Sequence, residues 1–311
     1  MHPMLDLEER VRALMVNGQP ALPLPGAGRT PARHRALAEW GRTDLSMARI
    51  GEAHSDALAI LAEAGRAPRP HALYGVWASD GPRSRVNAEP IEANKWRLDG
   101  IKQYCSGATF VSACLVTAHF EGEVLLFDLA LDNDGVRPLP STWETPAFAD
   151  TATGPVSFDG VVVTSDRLLG GANWYLTRPG FWHGALGPAA CWAGGAMSLV
   201  DAAAALKRRD AHSRAHVGAL HAAAWGLDAV LDRAGREIDA DPTDQAAQAR
   251  VRALKVRHLI EQACTDVLNR FGRATGPQLL AYDAQIARQH MALTLYIRQC
   301  HAERDLETIE D

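Results

Sequence analysis

The chain has 311 residues, 47% of them hydrophobic, and a formal net charge of -5 at pH 7. That length and apolar content predict two or three structural units around a sizeable core. The acidic balance, with no extended Lys/Arg run, argues against a phosphate-backbone (nucleic-acid) partner, and no stretch of about 18 uninterrupted apolar residues marks a membrane span.

The first ten residues carry acidic side chains and no apolar segment, so no secretory leader is expected. Residues 1–70 read as helical, with Leu45, Ala48, Ile50, Ala53, Ala57, Leu58 and Leu61 near helical spacing. Residues 22–31, with three prolines and two glycines, read as a loop inside that region.

Residues 71–170 change texture. Residues 96–98, Asp99-Gly100 and residues 101–104 predict a hairpin, because Asp-Gly supplies the positive φ angles of a tight turn. Residues 114–120, 124–131 and 156–163 predict further strands of an antiparallel sheet or small barrel-like sandwich. Residues 171–311 return to long helices. Leu254, Leu259, Ala263, Val267, Leu268 and Phe271 trace one helix face. Residues 239–244 and 273–277 read as breaks, and residues 283–306 as one closing helix of a four-helix bundle. Lys207-Arg208-Arg209 reads as a solvated helix C-terminus. The cysteines (Cys105, Cys114, Cys191, Cys264 and Cys300) form no CxxC pair and read as buried thiols of a cytoplasmic protein. His212 and His216, at i and i+4, make at most half a metal site.

Several motifs occur in a collinear order. Tyr74-Gly75-Val76-Trp77 opens the strand region. Lys102-Gln103-Tyr104-Cys105-Ser106-Gly107 follows, then Phe158-Asp159-Gly160-Val161-Val162-Val163 and Leu168-Leu169-Gly170. Arg214 stands four residues before Gly218, and Asn269-Arg270-Phe271-Gly272 leads to Gly276. In this order they resemble the acyl-CoA dehydrogenase family over roughly residues 35–311. The resemblance implies an α+β fold: a short N-terminal helical region (1–70), a middle antiparallel β domain facing a flavin (71–170), and a C-terminal four-helix bundle that mediates oligomerisation (171–311). It implies FAD as cofactor, with Tyr74, Val76, Trp77, Tyr104 and Ser106 toward the flavin. Arg214 would reach its pyrophosphate, with a guanidinium fork suited to phosphate oxygens, and Asn269 and Gly272 its adenine end. The implied partners are an acyl-CoA or other acyl thioester and further copies of the chain in a homodimer or homotetramer.

The same resemblance calls for a glutamate that removes an α-proton, near the start of the first bundle helix or late in the chain. No glutamate occurs between residues 145 and 236, nor between 262 and 302. Three readings follow: His290 (or His183) as substitute base, a heteromer with a glutamate-bearing relative, or a flavin-dependent monooxygenase of the same fold, which needs no such base. A non-catalytic member of the fold is a further alternative.

Overall fold

The computed structural model describes residues 6–16, 19–20, 22–81, 84–141, 143–206 and 210–309. The basic cluster at 207–209 lies outside the described residues. The chain begins with α1 (Leu7–Arg12), a short pair β1 (Met15–Val16) and β2 (Gln19–Pro20), α2 (Thr30–Thr43) and α3 (Leu45–Glu63). The strand region holds β3 (Tyr74–Trp77), β4 (Val86–Glu92), β5 (Lys95–Cys105), β6 (Ala113–Phe120), β7 (Glu123–Ala130), β8 (Val136–Pro138), β9 (Gly154–Thr164) and β10 (Leu168–Leu169). The helices that follow are α4 (Trp174–Thr177), α5 (Pro179–Gly184), α6 (Leu186–Ala205), α7 (Ala211–Ala240), α8 (Ala249–Thr275), α9 (Gln278–Tyr282), α10 (Ala284–Tyr296) and α11 (Glu303–Glu307). By spatial contact these elements form two compact units. One joins the described residues up to 20 with Ala53–Phe181, and the other joins Leu22–Glu52 with the described residues from Trp182 onward.

The first unit is built on an eight-stranded sheet in the order β10-β7-β6-β4-β5-β9-β8, with β3 also on β6. The expectation of a wholly antiparallel sheet is corrected: β3 runs parallel to β6, and so does β4 at the single pair Asn87 and His119. Parallel neighbours need a long crossover, which β4 and β5 supply between β3 and β6. The β6–β7 hairpin turns through Glu121 at φ 50° and Gly122 at φ 89°, the pair of positive angles that matches strand twist.

The Asp99-Gly100 turn is also corrected. β5 runs unbroken through it, and its pairing with β9 shifts register between Leu98 and Gly100. A Cβ on Gly100 would overlap the Arg85 carbonyl oxygen, so glycine serves a close backbone approach at a bulge. The reversal into β5 occurs instead at Asn94, φ 69°. Against the sheet, Ala57, Ile60 and Leu61 of α3 pack with Tyr74, Leu115, Leu126 and Leu169.

In the second unit α6, α7 and α8 pack on one another, α10 lies on α6, and α2 adds to α6 and α7. Sequence explains the tightest of these contacts. A Cβ on Gly194 would overlap the Ala38 carbonyl oxygen, and one on Gly41 the Cys191 carbonyl oxygen. Paired glycines thus let α2 and α6 approach backbone to backbone, closer than ordinary ridge-into-groove packing. Leu254, Ile260, Cys264, Val267 and Phe271 are buried along α8, but Leu259 is 53% exposed and leaves the predicted face. The closing helix is corrected too. α10 stops at Tyr296, a single 3-10 turn follows, and Ala302 at φ 51° separates it from α11. Asp283 caps α10 by accepting from the amides of Gln285 and Ile286, and Asp244 accepts from those of Gln248 and Ala249 at the start of α8. All five cysteines are free and buried. The molecule is thus α+β with its helical bundle at the C-terminal end, and no helix among the described residues is long and apolar enough to cross a membrane.

Two predictions follow from this packing. Gly194→Ala forces α2 and α6 apart and is expected to cost about 2–3 kcal/mol, read as a lower urea midpoint at unchanged slope. An unmoved midpoint would show that the close approach is not needed. Separately, burial pushes His34 and His54 down to about 4. His34 bonds the Leu231 carbonyl through Nδ1 at 3.1 Å, and His54 Nδ1 accepts from the Tyr74 amide at 3.1 Å. Both pKa values lie below those of the unfolded chain, so unfolding takes up protons below about pH 6.5 and stability falls with pH. By pH 5 each histidine accounts for roughly 2 kcal/mol of that loss. A urea midpoint constant between pH 7 and 5 contradicts this.

Candidate cofactor site

Of the expected flavin-facing residues of the first unit, Trp77, Tyr104 and Ser106 meet at the end of β5. Lys102 is completely buried. Its ammonium is bonded to Asp80, and donates to Thr117 Oγ1 at 2.7 Å. His119 Nε2 lies 2.7 Å from the other Asp80 oxygen. Burial lowers the Lys102 pKa against the opposing pull of Asp80. Burial also works to raise Asp80, but the bonds from Lys102 and His119 outweigh it and hold the carboxyl below its ordinary value. The network pins β5 two residues before Tyr104.

From that anchor the chain turns. Trp77 is 3% exposed and its indole N–H donates to the Ser106 carbonyl at 3.2 Å. Trp77 therefore braces the turn from beneath, with Val76 half-buried beside it. The Ser106 hydroxyl lies 3.0 Å from Thr153 Oγ1, which lies 2.7 Å from Thr151 Oγ1, and Thr151 donates to the Phe148 carbonyl at 2.8 Å. This hydroxyl chain fixes Ser106 Oγ in place. Gly107 and Ala108 donate to the carbonyls of Thr151 and Ala152, and a positive φ of 76° at Gly107 lets the turn close.

Tyr104 points outward, 57% exposed, with φ 56°. It borders a small cleft of about 40 Å³ shared with Gln103, Ser141, Trp143 and Thr153. Trp143 is held there by its indole N–H on the Ala147 carbonyl at 2.7 Å and by its amide on Ser141 Oγ at 3.1 Å. The sequence reading did not single out Trp143, because an aromatic in a loop without periodicity carries no signal. An exposed phenol ring beside a fixed, half-buried hydroxyl suits a flat heteroaromatic group with polar edges.

Tyr74 is a correction. It is fully buried, its hydroxyl accepts from the Arg69 amide at 3.0 Å and donates to Asp128 at 3.3 Å, and burial pushes its pKa up to about 12. A side chain enclosed on all sides by its own unit cannot touch a ligand, so Tyr74 serves the core.

In the second unit the expected residues are less concentrated. Arg214 is exposed in the first turn of α7, and Gly218 beyond it faces open space. Asn269 and Gly272 both lie inside α8, and the break expected at 273–277 falls at Gly276, φ 64°. One glycine among good helix formers does not break a helix, whereas Gly276 followed by Pro277 does. His290 is half-buried on α10 with its ring 6.1 Å from that of Phe271, and burial lowers its pKa. No described carboxylate bonds its ring to orient it as a base. His183 is buried and bonded through Nε2 to the Pro242 carbonyl at 3.1 Å. Among the described residues no group of three or more His, Cys, Asp or Glu could hold a metal, so His212 and His216 stay half a site.

One carboxylate escaped the sequence reading. Glu52 of α3 is 7% exposed, and a Cβ on Gly187, in the first turn of α6, would overlap its Oε1. A carboxylate thus sits at the start of the first bundle helix although that helix's own first turns contain none. Arg49 and Arg257 feel its charge. The clue in the sequence was indirect: a glycine where a helix start has room for a side chain.

Tyr104 supplies a test of the turn. A bulky residue in the left-handed region costs on the order of 1–2 kcal/mol, so Tyr104→Gly should leave thermal stability unchanged or raise it by up to about 1 kcal/mol. It should also weaken flavin uptake several-fold. A clear fall in melting temperature would show that the ring is structural instead.

No protein-family profile matches the chain, and no curated protein sequence matches it. Solved structures do. Dibenzothiophene monooxygenase TdsC from Paenibacillus sp. A11-2 is similar at TM-score 0.78 and 18% identity, over 90% of this chain and 82% of that one, and it has also been solved with FMN bound. Methanesulfinate monooxygenase MsuC from Pseudomonas fluorescens is similar at TM-score 0.77 and 18% identity, over 92% and 83% of the two chains. KijD3, solved with FMN and a dTDP-linked amino-keto sugar, is similar at TM-score 0.79 and 17% identity, over 98% and 82%. Likeness at such identities speaks to architecture alone. The chain has the acyl-CoA dehydrogenase fold, which it shares with these enzymes.

Proposed function

We propose that the protein is a flavin-dependent monooxygenase built on the acyl-CoA dehydrogenase fold, and that its flavin is FMN rather than FAD. The observation that carries this reading is the lack of any glutamate at residues 145–236 and 262–302. Dehydrogenation of an acyl thioester needs an α-proton base, and oxygenation does not. The monooxygenase activities of TdsC and MsuC, and FMN in TdsC and KijD3, support it. When bound and reduced by an external hydride donor, the flavin supplies two electrons to dioxygen, of which one atom enters the substrate and the other leaves as water.

The chain's own residues bind and orient. Ser106 Oγ, fixed by Thr153, offers a hydrogen bond to the polar edge of the ring system, and Tyr104 covers one face. Trp77 and Val76 hold the wall behind. As the resemblance implies, Arg214 of a neighbouring copy of the chain pairs with the phosphate. FMN, which has no adenine end, is favoured because Asn269 and Gly272 spend their backbone groups inside α8. The bundle exposes Trp225 (77%), Leu259 (53%) and Met291 (39%), which supports self-association, with a heteromer as the alternative partner arrangement.

Purified protein titrated with FMN and with FAD tests the reading. FMN should bind more tightly, and Ser106→Ala should weaken it about tenfold, the worth of one hydrogen bond. With reduced FMN and oxygen, the protein should consume dioxygen in step with a supplied oxidisable substrate. Failure to bind either flavin sinks the proposal.

A second reading, acyl-CoA dehydrogenation, is favoured by Glu52 alone, since it brings a carboxylate to the first turn of α6. Bleaching of bound flavin by an acyl-CoA under anaerobic conditions, abolished in Glu52→Gln, would establish it over the first. A flavin that stays oxidised would remove it.

A further inference from the structure

A surface cleft of about 480 Å³ opens in the second unit where the start of α2 meets the last turns of α7. It has the size of a small-molecule site. Three arginines line it, Arg29, Arg35 and Arg236, together with Asp232 and Asp239. The two carboxylates are already engaged. Asp239 accepts from the amides of Gly28 at 3.0 Å and Thr30 at 2.9 Å and from the Thr30 hydroxyl at 2.6 Å. Asp232 takes Arg236 through two bonds, at 2.6 and 3.4 Å. Arg29 enters no ion pair among the described residues, and Arg35 donates one long bond, 3.4 Å, from Nε to the Pro31 carbonyl. Two guanidinium forks therefore face the cleft with most of their donors available.

The walls are rigid before any ligand arrives. Asp239 ties the loop ahead of α2 to α7. A Cβ on Gly26, φ 76°, would press on Pro242, and one on Gly235 would press on Pro31, so both glycines permit close packing of this loop against α7. The N-terminal amides of α2 are capped by Asp239 and are not the attraction. What remains is a preformed, open cleft with surplus positive charge carried by planar, bidentate donors, wide enough for more than one anionic group.

We propose that this cleft binds a small molecule bearing a diphosphate group, with Arg29 and Arg35 as the principal contacts. The site is separate from the Tyr104–Ser106 turn and does not depend on the flavin reading.

Calorimetric titration of the purified full chain with inorganic pyrophosphate and with ADP tests it. At low ionic strength at least one probe should bind, and the double variant Arg29→Ala/Arg35→Ala should bind it at least tenfold more weakly. Both side chains are exposed, so this variant should keep its fold, which a melting curve would verify. Arg233→Ala is the control. Arg233 lies on the same helix, is paired with Glu237 and does not line the cleft, so binding should be unchanged. Tighter binding of ADP assigns the diphosphate to a nucleotide-like ligand, and equal binding assigns it to the anion alone; both sustain the proposal. Absence of binding by either probe, or equal binding by wild type and double variant, overturns it.

Discussion

The placement of the candidate cofactor turn rests on one buried ammonium. Lys102 has no exposure, yet it sits on β5 two residues before Tyr104. A charge in such a position is tolerated only when a counter-charge and further hydrogen bonds replace its water. Asp80 and Thr117 do so, and Thr117 in turn donates to the Ala78 carbonyl at 3.0 Å. The bonds bind β5 to β6 and to the segment that leaves β3. Register along the last part of β5 is therefore set by electrostatics as well as by side-chain alternation. Trp77, at the end of β3, inherits a fixed distance to the Ser106 carbonyl, and the left-handed backbone at Tyr104 becomes sustainable because both sides of it are anchored.

The second unit answers the same need by different means. Its tightest contact carries no charge at all: Gly41 and Gly194 remove the side chains that would hold α2 off α6. Its buried charges are gathered elsewhere. Arg257 donates to the carbonyls of Ala185 and Gln299, both at 2.7 Å, and its guanidinium lies 4.7 Å over the Trp192 ring. Arg49 lies 5.3 Å over the Tyr296 ring. With Glu52 they make one of the polar clusters inside this unit, alongside buried groups such as Asp44 and Glu261. Burial lowers the pKa of both arginines against the opposing pull of Glu52.

What the sequence disclosed, and what it hid, follows from how far each determinant lies along the chain. Strand positions 114–120, 124–131 and 156–163 were legible because burial on the sheet repeats locally, and α8 because a 3.6 period persists over many turns. Asp99-Gly100 misled because the reason for glycine there, the Arg85 carbonyl, is set by a strand pairing that no local window contains. The break at 273–277 was legible for the usual local reason: Gly276 and Pro277 end α8 there. The break at Ala302 had no glycine or proline to announce it. In the candidate cofactor turn, Ser106 and Tyr104 were found through the order of motifs, whereas Trp143 and Thr153 come from the loop ahead of β9, some forty residues away, and reach the turn only in the folded unit.

Glu52 bears most directly on chemistry. Scanning for a glutamate within the expected windows treats a catalytic group as a property of one helix, but a site is a property of space. The first turn of α6 receives a carboxylate from α3 because Gly187 leaves the room for it. Whether that carboxylate acts as a base turns on its company. A proton-abstracting carboxylate is best served by surroundings that keep its basicity high, such as an apolar pocket. Glu52 instead shares its interior with the guanidinium groups of Arg49 and Arg257, which feel its charge. The position alone speaks for dehydrogenation. The lack of a glutamate at residues 145–236 and 262–302, together with an α8 that runs on through Asn269 and Gly272, is why oxygenation with a mononucleotide flavin is the stronger reading of this chain.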